Sequence, residues 1–129
     1  LFTKNILEGK PIELFNYGNH SRSFTYIDDI VQSIYLLSQK DYFYDGSSVN
    51  KIFNIGGHES INLKDFVKII EKNLGKKAEI LLKPMQKGDV KDSMADNSLL
   101  FREINFNPKT NFEEGAKNFI EWYKKYYSA

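Results

Sequence analysis

Cysteine is absent from this chain of 129 residues, and its absence excludes a disulfide framework and any metal site built on thiolates. Only two histidines occur, His20 and His58, and as lone residues they do not predict a metal site either. No apolar run approaches the ~20 residues that a membrane-spanning helix needs. Without disulfides or a membrane segment, the predicted location is the cytoplasm.

An excess of charge of one sign is also lacking. Eighteen Lys and Arg residues stand against seventeen Asp and Glu residues, which leaves a formal net charge of +1. The two signs are interspersed along the chain. No basic face therefore predicts binding to nucleic acid or to an anionic membrane.

The catalytic patterns of several enzyme classes are missing as well. The only neighbouring glycines are Gly56 and Gly57, too few for a glycine-rich phosphate-binding fingerprint. No tyrosine is followed by a lysine four residues later, the spacing that would place both on one helix face. No serine sits in a nucleophile elbow. The sequence therefore predicts no catalytic residue, no bound cofactor and no metal within this chain.

The chain does contain enough apolar side chains for a folded domain. Hydrophobic residues make up 41% of it and aromatic residues 15%, which argues against disorder and predicts one domain over residues 1–129. Residues 1–8 resemble the last turns of a helix that ends at Gly9, yet no capping residue opens that helix. We therefore expect the chain to be part of a longer protein.

Hydrophobic periodicity predicts strands that alternate with helices, and hence an α/β fold with a small, incomplete sheet. Strands are predicted at residues 12–17, 24–27, 52–55 and 79–83, and helices at residues 1–8, 29–40, 63–74 and 98–103. A last helix follows a possible capping box of Thr110 and Glu113, and its apolar face runs from Phe112 to Tyr127. Asn62 and Gly75 are expected to bound the third helix, and Asp28 or Asp29 to cap the second. A loop is predicted over residues 41–51.

The stretch from Ser21 to Val31 contains the first candidate binding residue. Arg22 stands in a loop context beside a predicted strand, where a guanidinium can hold a phosphate with two parallel hydrogen bonds. A surface cation or a partner of Asp28 is the alternative interpretation of Arg22. Asp28 and Asp29 could form a general base, although adjacent carboxylates at a helix start more often serve as caps.

Gly88 and Asp89, on the loop after Pro84, form the second candidate. Glycine lets a ligand approach the backbone closely, and a carboxylate can accept hydrogen bonds from two ribose hydroxyls. An ordinary Gly-Asp turn is the alternative. Tyr17 and Phe15 could flank a flat base or be core aromatics at a strand end. The glycines at positions 56–57 predict a tight turn or, alternatively, the edge of a cofactor site.

Three motifs, in this order, resemble a known family. They are Arg22-x-Phe24-Thr25-Tyr26-Ile27-Asp28-Asp29, Phe53-Asn54-Ile55-Gly56, and Gly88-Asp89 with Ala95-Asp96. With the ending at residues 105–123, they are similar to the C-terminal part of extended short-chain dehydrogenases that act on nucleotide sugars, above all UDP-glucuronate 4-epimerase-like members. The resemblance spans essentially all 129 residues. It implies the C-terminal fragment of a Rossmann-like fold, with a small mixed sheet and about five helices.

The resemblance also implies substrate-binding roles for four residues. Arg22 would bind the diphosphate of a UDP-sugar, Asp89 the ribose hydroxyls, and Tyr17 would lie against the uracil. Gln86 occupies a position where galactose-type epimerases carry a second phosphate-binding arginine. A neutral amide there gives up one charge-assisted hydrogen bond, typically worth ~1.5–3 kcal/mol.

An N-terminal Rossmann half, with its NAD-binding glycines and Tyr-x-x-x-Lys catalytic pair, would by this resemblance be missing from the chain. In whole enzymes of the family the tyrosine deprotonates a sugar hydroxyl while NAD takes a hydride from the same carbon. The 4-keto sugar then turns over and receives the hydride on its other face. The parent protein would thus be an isomerase of polysaccharide biosynthesis, whereas this chain alone is expected neither to bind NAD nor to epimerise a sugar.

Two other functions remain open at this point. Nucleotide-sugar 4,6-dehydratases share the fold but usually follow the loop aspartate with paired arginines, whereas Asp89 precedes Val90-Lys91-Asp92. A free-standing, non-catalytic binding module is the second possibility. Because residues 52–55 have the composition of an interior strand with few neighbours to pair with, we also expect a homo-oligomer. Its contact would include that segment or the helix at residues 29–40.

Overall fold

The computed structural model describes residues 1–40 and 51–128, and the predicted loop lies outside them except for its last residue. Five α-helices occur in the described residues, at Phe2–Glu8 (α1), Ile27–Ser38 (α2), Leu63–Leu74 (α3), Ser98–Ile104 (α4) and Phe112–Tyr127 (α5). Five short strands accompany them, at Ile12–Leu14 (β1), Ser21–Arg22 (β2), Ile61–Asn62 (β3), Ile80–Leu82 (β4) and Asp92–Ser93 (β5). A 3-10 helix, Phe15–Gly18, follows β1.

Helix α3 supplies one wall of the core, and its predicted ends are confirmed. The Asn62 side chain accepts a hydrogen bond from Lys64 N–H at 2.9 Å, and Gly75 ends the helix in the left-handed conformation at φ 68°. Apolar residues at helical spacing pack α3 against α1, β1 and α5. The buried core consists of Ile6, Ile12, Leu14, Val67, Ile70, Leu74, Ala116 and Ile120.

The strands form two small sheets. Strands β1 and β4 pair in parallel, with Ile12 opposite Ile80. In the second sheet β2 lies between β3 and β5, antiparallel to the first and parallel to the second. The predicted fold class is therefore confirmed as an α/β fragment with small mixed sheets and five helices in the described part of the chain.

Two predicted strands are wrong. Residues 24–27 form no ladder, and their aromatic character serves packing instead, since the Phe24 ring centroid lies 4.5 Å from that of Phe66 and 5.2 Å from that of Phe112. Residues 52–55 also form no ladder, and Ile52 is 88% exposed. An apolar segment becomes a strand only where another strand accepts its hydrogen bonds, and no described segment does so here.

The strand predicted at residues 12–17 ends early, at Leu14. Asn16 and Tyr17 have φ values of 49° and 54°, a left-handed conformation that no strand contains. The chain turns there and is held by Tyr17 N–H, which donates to Lys83 O at 2.9 Å. This turn brings the chain from the first sheet to the second.

The predicted capping role of Asp28 and Asp29 is wrong as well. Helix α2 begins at Ile27 with Tyr26 as its N-cap, so both carboxylates lie within its first turn. Asp29 is buried, and its Oδ2 accepts from Thr110 N–H at 2.9 Å. Asp29 thus ties the start of α2 to the segment before α5, a contact that residue order could not predict.

No helix in the described ranges is both long enough and apolar enough to cross a membrane. Within the same ranges, no group of three or more His, Cys, Asp or Glu side chains gathers as metal ligands. The cytoplasmic location and the absence of nucleic-acid binding stay predictions.

Candidate functional site

Strand β2 places Arg22 in the middle strand of the three-stranded sheet. Ser21 N–H donates to Lys91 O at 3.1 Å, and Ser23 N–H donates to Ser93 O at 3.2 Å. These bonds fix the backbone on both sides of Arg22. The predicted loop setting of Arg22 is therefore wrong, because the residue belongs to a short, paired strand.

The guanidinium of Arg22 binds the loop that follows β4. Nη2 donates to Asp89 Oδ1 at 3.0 Å and to Val90 O at 2.6 Å. Nη1 donates to Ser21 O at 2.9 Å and to Lys91 O at 2.8 Å. The four terminal N–H groups thus have acceptors within the protein, and the guanidinium joins the loop to β2.

Asp89 meets Arg22 from a tight turn. Gly88 precedes it with φ 85°, a conformation that favours glycine, so the Gly-Asp turn that the sequence allowed is present. Asp89 Oδ1 also accepts from Val90 N–H at 2.9 Å. The Arg22 and Asp89 side chains are 28% and 29% exposed, which makes the pair half-buried. The alternative pairing of Arg22 with Asp28 is wrong.

His20 completes the cluster, and sequence reasoning missed it. The residue is 4% exposed. Its Nδ1 lies 3.3 Å from Arg22 Nη2 and 3.3 Å from Asp89 Oδ2. Its Nε2 is buried and has no hydrogen-bond partner among the described residues. A lone histidine in a Gly-Asn-His-Ser loop gives no signal of burial, so only its position beside Arg22 could have drawn attention to it.

The other two predicted site residues lie apart from this cluster. Tyr17 is 52% exposed, and neither Tyr17 nor Gln86 lines the cleft beside Arg22. Gln86 is exposed, and its carbonyl accepts from Asp89 N–H at 3.2 Å. The structure therefore brings Arg22 and Asp89 together but leaves Tyr17 and Gln86 at the surface. Their predicted roles stay predictions.

A cleft of about 980 Å³ lies beside the pair. Its polar wall includes His20, Arg22 and Asp89. Most of the remaining wall is apolar and includes the three packed rings of Phe24, Phe66 and Phe112. A cation and an anion next to an aromatic wall suit a ligand that combines a charged group with a flat or apolar part.

The neighbouring glycines Gly56 and Gly57 serve a close crossing of chain segments. A Cβ on Gly57 would lie 2.1 Å from Phe24 O, and one on Gly56 would lie 2.4 Å from the Ala95 Cβ. Gly57 N–H donates to Thr25 Oγ1 at 2.9 Å. Protein atoms already occupy the space beside both glycines, so the close crossing accounts for them. No turn is present at positions 56–57, and the predicted tight turn is wrong.

Residues 1–119 match the family model described as GDP-mannose 4,6 dehydratase. A curated relative, UDP-glucuronate 4-epimerase 4 of Arabidopsis thaliana, is 38% identical over 138 residues, which cover 98% of this chain and 32% of that protein. The chain spans only 32–41% of the length of the curated relatives it matches.

Solved structures of epimerases share the fold. The UDP-glucose 4-epimerase of Thermotoga maritima, determined with UDP-glucose, has a TM-score of 0.83 and 29% identity over 98% of this chain and 38% of that one. The UDP-glucuronic acid 4-epimerase of Bacillus cereus, determined with UDP-glucuronic acid and NAD, has a TM-score of 0.84 and 27% identity. It matches 98% of this chain and 39% of that one.

Proposed function

The chain belongs to the GDP-mannose 4,6-dehydratase family of extended short-chain dehydrogenases, and we propose that it is the nucleotide-sugar-binding part of an NAD-dependent 4-epimerase. The substrate is a UDP-sugar of the UDP-glucuronate type. The observation that carries the proposal is the 38% identity with a UDP-glucuronate 4-epimerase across 98% of this chain. A separate N-terminal Rossmann half supplies the catalytic pair.

Arg22 and Asp89 are the proposed contacts to the diphosphate and the ribose. In the unliganded chain they hold each other at 3.0 Å. The charged oxygens of a diphosphate accept hydrogen bonds as a carboxylate does. When Arg22 donates to phosphate instead of Asp89, one charge-assisted hydrogen bond is replaced by another. Asp89 is then available to accept from ribose hydroxyls. The cost of breaking the pair is therefore largely offset by the ligand.

Tyr17 and Gln86 are the proposed contacts to the uracil and to the second side of the diphosphate. Both side chains are exposed, Tyr17 in the 3-10 helix after β1 and Gln86 in the loop between β4 and Asp89. The left-handed backbone of Tyr17 at φ 54° costs ~1–2 kcal/mol for a non-glycine residue. Such local strain is often kept where a side chain must be presented to a ligand.

NAD belongs to the proposed parent protein rather than to this chain. Gly56 and Gly57 are occupied by the crossing with Phe24 and Ala95. These two glycines are therefore not available as a dinucleotide phosphate cradle, and the NAD site is assigned to the N-terminal half of the parent protein. The structure of the B. cereus epimerase that shares the fold contains NAD together with UDP-glucuronic acid.

Two other functions compete with this proposal. The family model carries the description of a 4,6-dehydratase, but the sequence after Asp89 lacks paired arginines. A non-catalytic binding module would need no second half. The mass of the native protein distinguishes the module from the enzymes, because the module has about the 15.0 kDa of this chain and an enzyme more than twice that mass.

The decisive test is an assay of the complete protein, as made in its own cell, with UDP-glucuronate and NAD. We expect conversion to the 4-epimer, detected by proton nuclear magnetic resonance of the sugar. Loss of water from a UDP-sugar would support the dehydratase, and binding of UDP without turnover would support the module. The 129-residue chain alone, with NAD added, is expected to give no turnover above a buffer blank.

A further inference from the structure

His20 is buried beside the cleft, and the proposed function assigns it no role. Its carbonyl accepts from Leu63 N–H, the first residue of α3, at 2.8 Å. Ser21 continues directly into β2. The backbone of His20 is thus fixed between a core helix and the strand that carries Arg22. This restricts the position of the imidazole ring.

In the described part of the chain, Nδ1 makes all polar contacts of the His20 ring. This atom lies 3.3 Å from Arg22 Nη2 and 3.3 Å from Asp89 Oδ2, while Nε2 has no partner in the described residues. A guanidinium only donates and a carboxylate only accepts. Both N–H groups of Arg22 Nη2 already donate to Asp89 Oδ1 and Val90 O, so an unprotonated Nδ1 can only share one of them. With a proton, Nδ1 donates to Asp89 Oδ2.

We propose that His20 is a positioning residue for nucleotide binding, which holds Arg22 and Asp89 at the cleft wall through Nδ1. The proposal rests on the function proposed above and assigns that site a third member. When Arg22 turns toward a diphosphate, Nδ1–H remains within reach of Asp89 and keeps the carboxylate in place. Burial of Nε2 without a hydrogen-bond partner is costly. The ring is buried in spite of this cost, which is consistent with a role for its Nδ1 contacts.

A set of three substitutions in the complete protein tests the role of Nδ1. His20→Asn keeps an amide near the Nδ1 position, His20→Gln moves the amide toward the Nε2 position, and His20→Phe keeps a ring without nitrogen. We expect the Gln and Phe variants to bind UDP about tenfold more weakly, the effect of one lost hydrogen bond to a charged group. The Asn variant should bind within about twofold of the wild type. Calorimetry measures the affinities.

His58→Asn is the matched control, because His58 lies outside the cluster and contacts Glu59 at 3.2 Å. It should leave UDP affinity unchanged. An Asn variant of His20 that binds as weakly as the Phe variant would overturn the proposal, and so would a Phe variant with wild-type affinity. Thermal unfolding of each variant shows whether the fold is retained.

A double-mutant cycle separates positioning from a general structural role. If His20 acts through Asp89, then His20→Phe should have no further effect on UDP affinity in an Asp89→Ala background. An equal tenfold loss in both backgrounds would show that His20 acts independently of Asp89 and would overturn the proposal.

Nitrogen-15 resonances of the His20 ring provide a readout that does not depend on the nucleotide. Arg22→Ala should shift Nδ1 and leave Nε2 nearly unchanged, whereas a shift confined to Nε2 would contradict the contact. If the wild-type protein bound no UDP, the proposed function would fail, and these resonances would decide the His20 contact by themselves.

Discussion

At the scale of single residues, Arg22 has a structural role and a proposed ligand-binding role. Its four hydrogen bonds join β2 to the loop at residues 89–91, and in the proposed function the same guanidinium binds a diphosphate. Substitution therefore affects both the stability of the loop and the affinity for the ligand. The two effects are separable, because unfolding is measured without nucleotide and binding is measured well below the melting temperature.

Arg22→Ala in the complete protein should lower UDP affinity by ~1.5–3 kcal/mol, the range for a hydrogen bond to a charged group. Calorimetric titration with UDP measures the change. Arg102→Ala serves as the control, since Arg102 lies on α4, where it donates to Ser98 O, and does not line the cleft beside Arg22. Equal UDP affinity of the Arg22 variant and the wild type would contradict the assigned role.

Glu71 is a buried carboxylate outside the site whose charge stabilises the fold. Its Oε1 accepts from Ala78 N–H at 2.8 Å, and its Oε2 accepts from Lys77 Nζ at 2.9 Å. The backbone hydrogen bond first, and the Lys77 ammonium second, hold the pKa of Glu71 below its ordinary value of 4.5, against the opposing effect of burial. A lowered folded-state pKa means that the ionised form stabilises the protein.

Glu71→Gln should lower the free energy of unfolding by roughly 1–2 kcal/mol at pH 7, because the bond from Ala78 N–H becomes neutral and an amide nitrogen cannot accept from the Lys77 ammonium. The unfolded state takes up the proton first, so the difference is complete above pH 4.5 and is lost as pH falls through the lower folded-state pKa. Urea unfolding at several pH values tests this. Glu121→Gln, at an exposed i,i+4 pair, is the control. A difference that persists at the lowest pH would refute the charge effect.

Some residues of the site could be predicted from their sequence neighbours, and others could not. Arg22 and Asp89 could be predicted because charged side chains beside turn residues are recognisable from their types. His20 could not, because its contacts to Leu63 and Asp89 come from segments that are distant in sequence. The left-handed backbone of Tyr17 was equally hidden, since no glycine marks it.

At the scale of elements, the crossing at Gly57 decides how the segment after residue 50 joins the molecule. Gly57 O accepts from Ser23 Oγ at 2.6 Å, and Gly57 N–H donates to Thr25 Oγ1 at 2.9 Å. Side-chain hydroxyls replace the backbone ladder that a strand would provide. The contact is close enough that no Cβ fits between Gly57 and Phe24 O.

Gly57→Ala should destabilise the protein by about 3 kcal/mol, the upper range for overpacking in a tight interior. Gly75→Ala offers a contrast, because Gly75 has φ 68° but open space around its Cα. That change should cost only ~1–2 kcal/mol of backbone strain. Chemical unfolding of both variants compares the two. A smaller loss at position 57 than at position 75 would contradict the crossing.

Elements that depend on local signals were predicted, whereas those that depend on distant partners were not. Helix α3 has a capping asparagine, a regular apolar stripe and a terminal glycine, so its ends could be predicted from Asn62 to Gly75. Residues 52–55 have strand composition but no partner in the described residues. A strand forms only when it pairs with another strand, and the composition of a segment does not show whether such a partner is present.

At the scale of the whole molecule, helix α2 exposes one apolar face. Ile27, Val31, Ile34 and Tyr35 are each more than half exposed, and they recur at helical spacing. Ile52 adds a further exposed apolar side chain. Exposed apolar surface favours association by ~25 cal/mol per Å² that becomes buried.

The 129-residue chain alone should therefore form a homodimer or larger assembly at micromolar concentration, as measured by light scattering. Val31→Lys combined with Ile34→Glu should shift it toward the monomer, because charged side chains on the α2 face cannot be buried without cost. Met94→Lys, at an exposed apolar position outside α2, is the control. A stable wild-type monomer at high micromolar concentration would contradict this expectation.

The sequence separation between Arg22 and its acceptors determines when the Arg22 cluster can form during synthesis. Arg22 lies 67 positions before Asp89 and 69 before Lys91. A ribosome that adds ~5–20 residues per second leaves Arg22 without these acceptors for roughly 3–13 s. Helix α3 emerges within that interval, so the core helix precedes the cluster beside the cleft. A nascent chain that stalls before residue 89 would carry the helix but not the site.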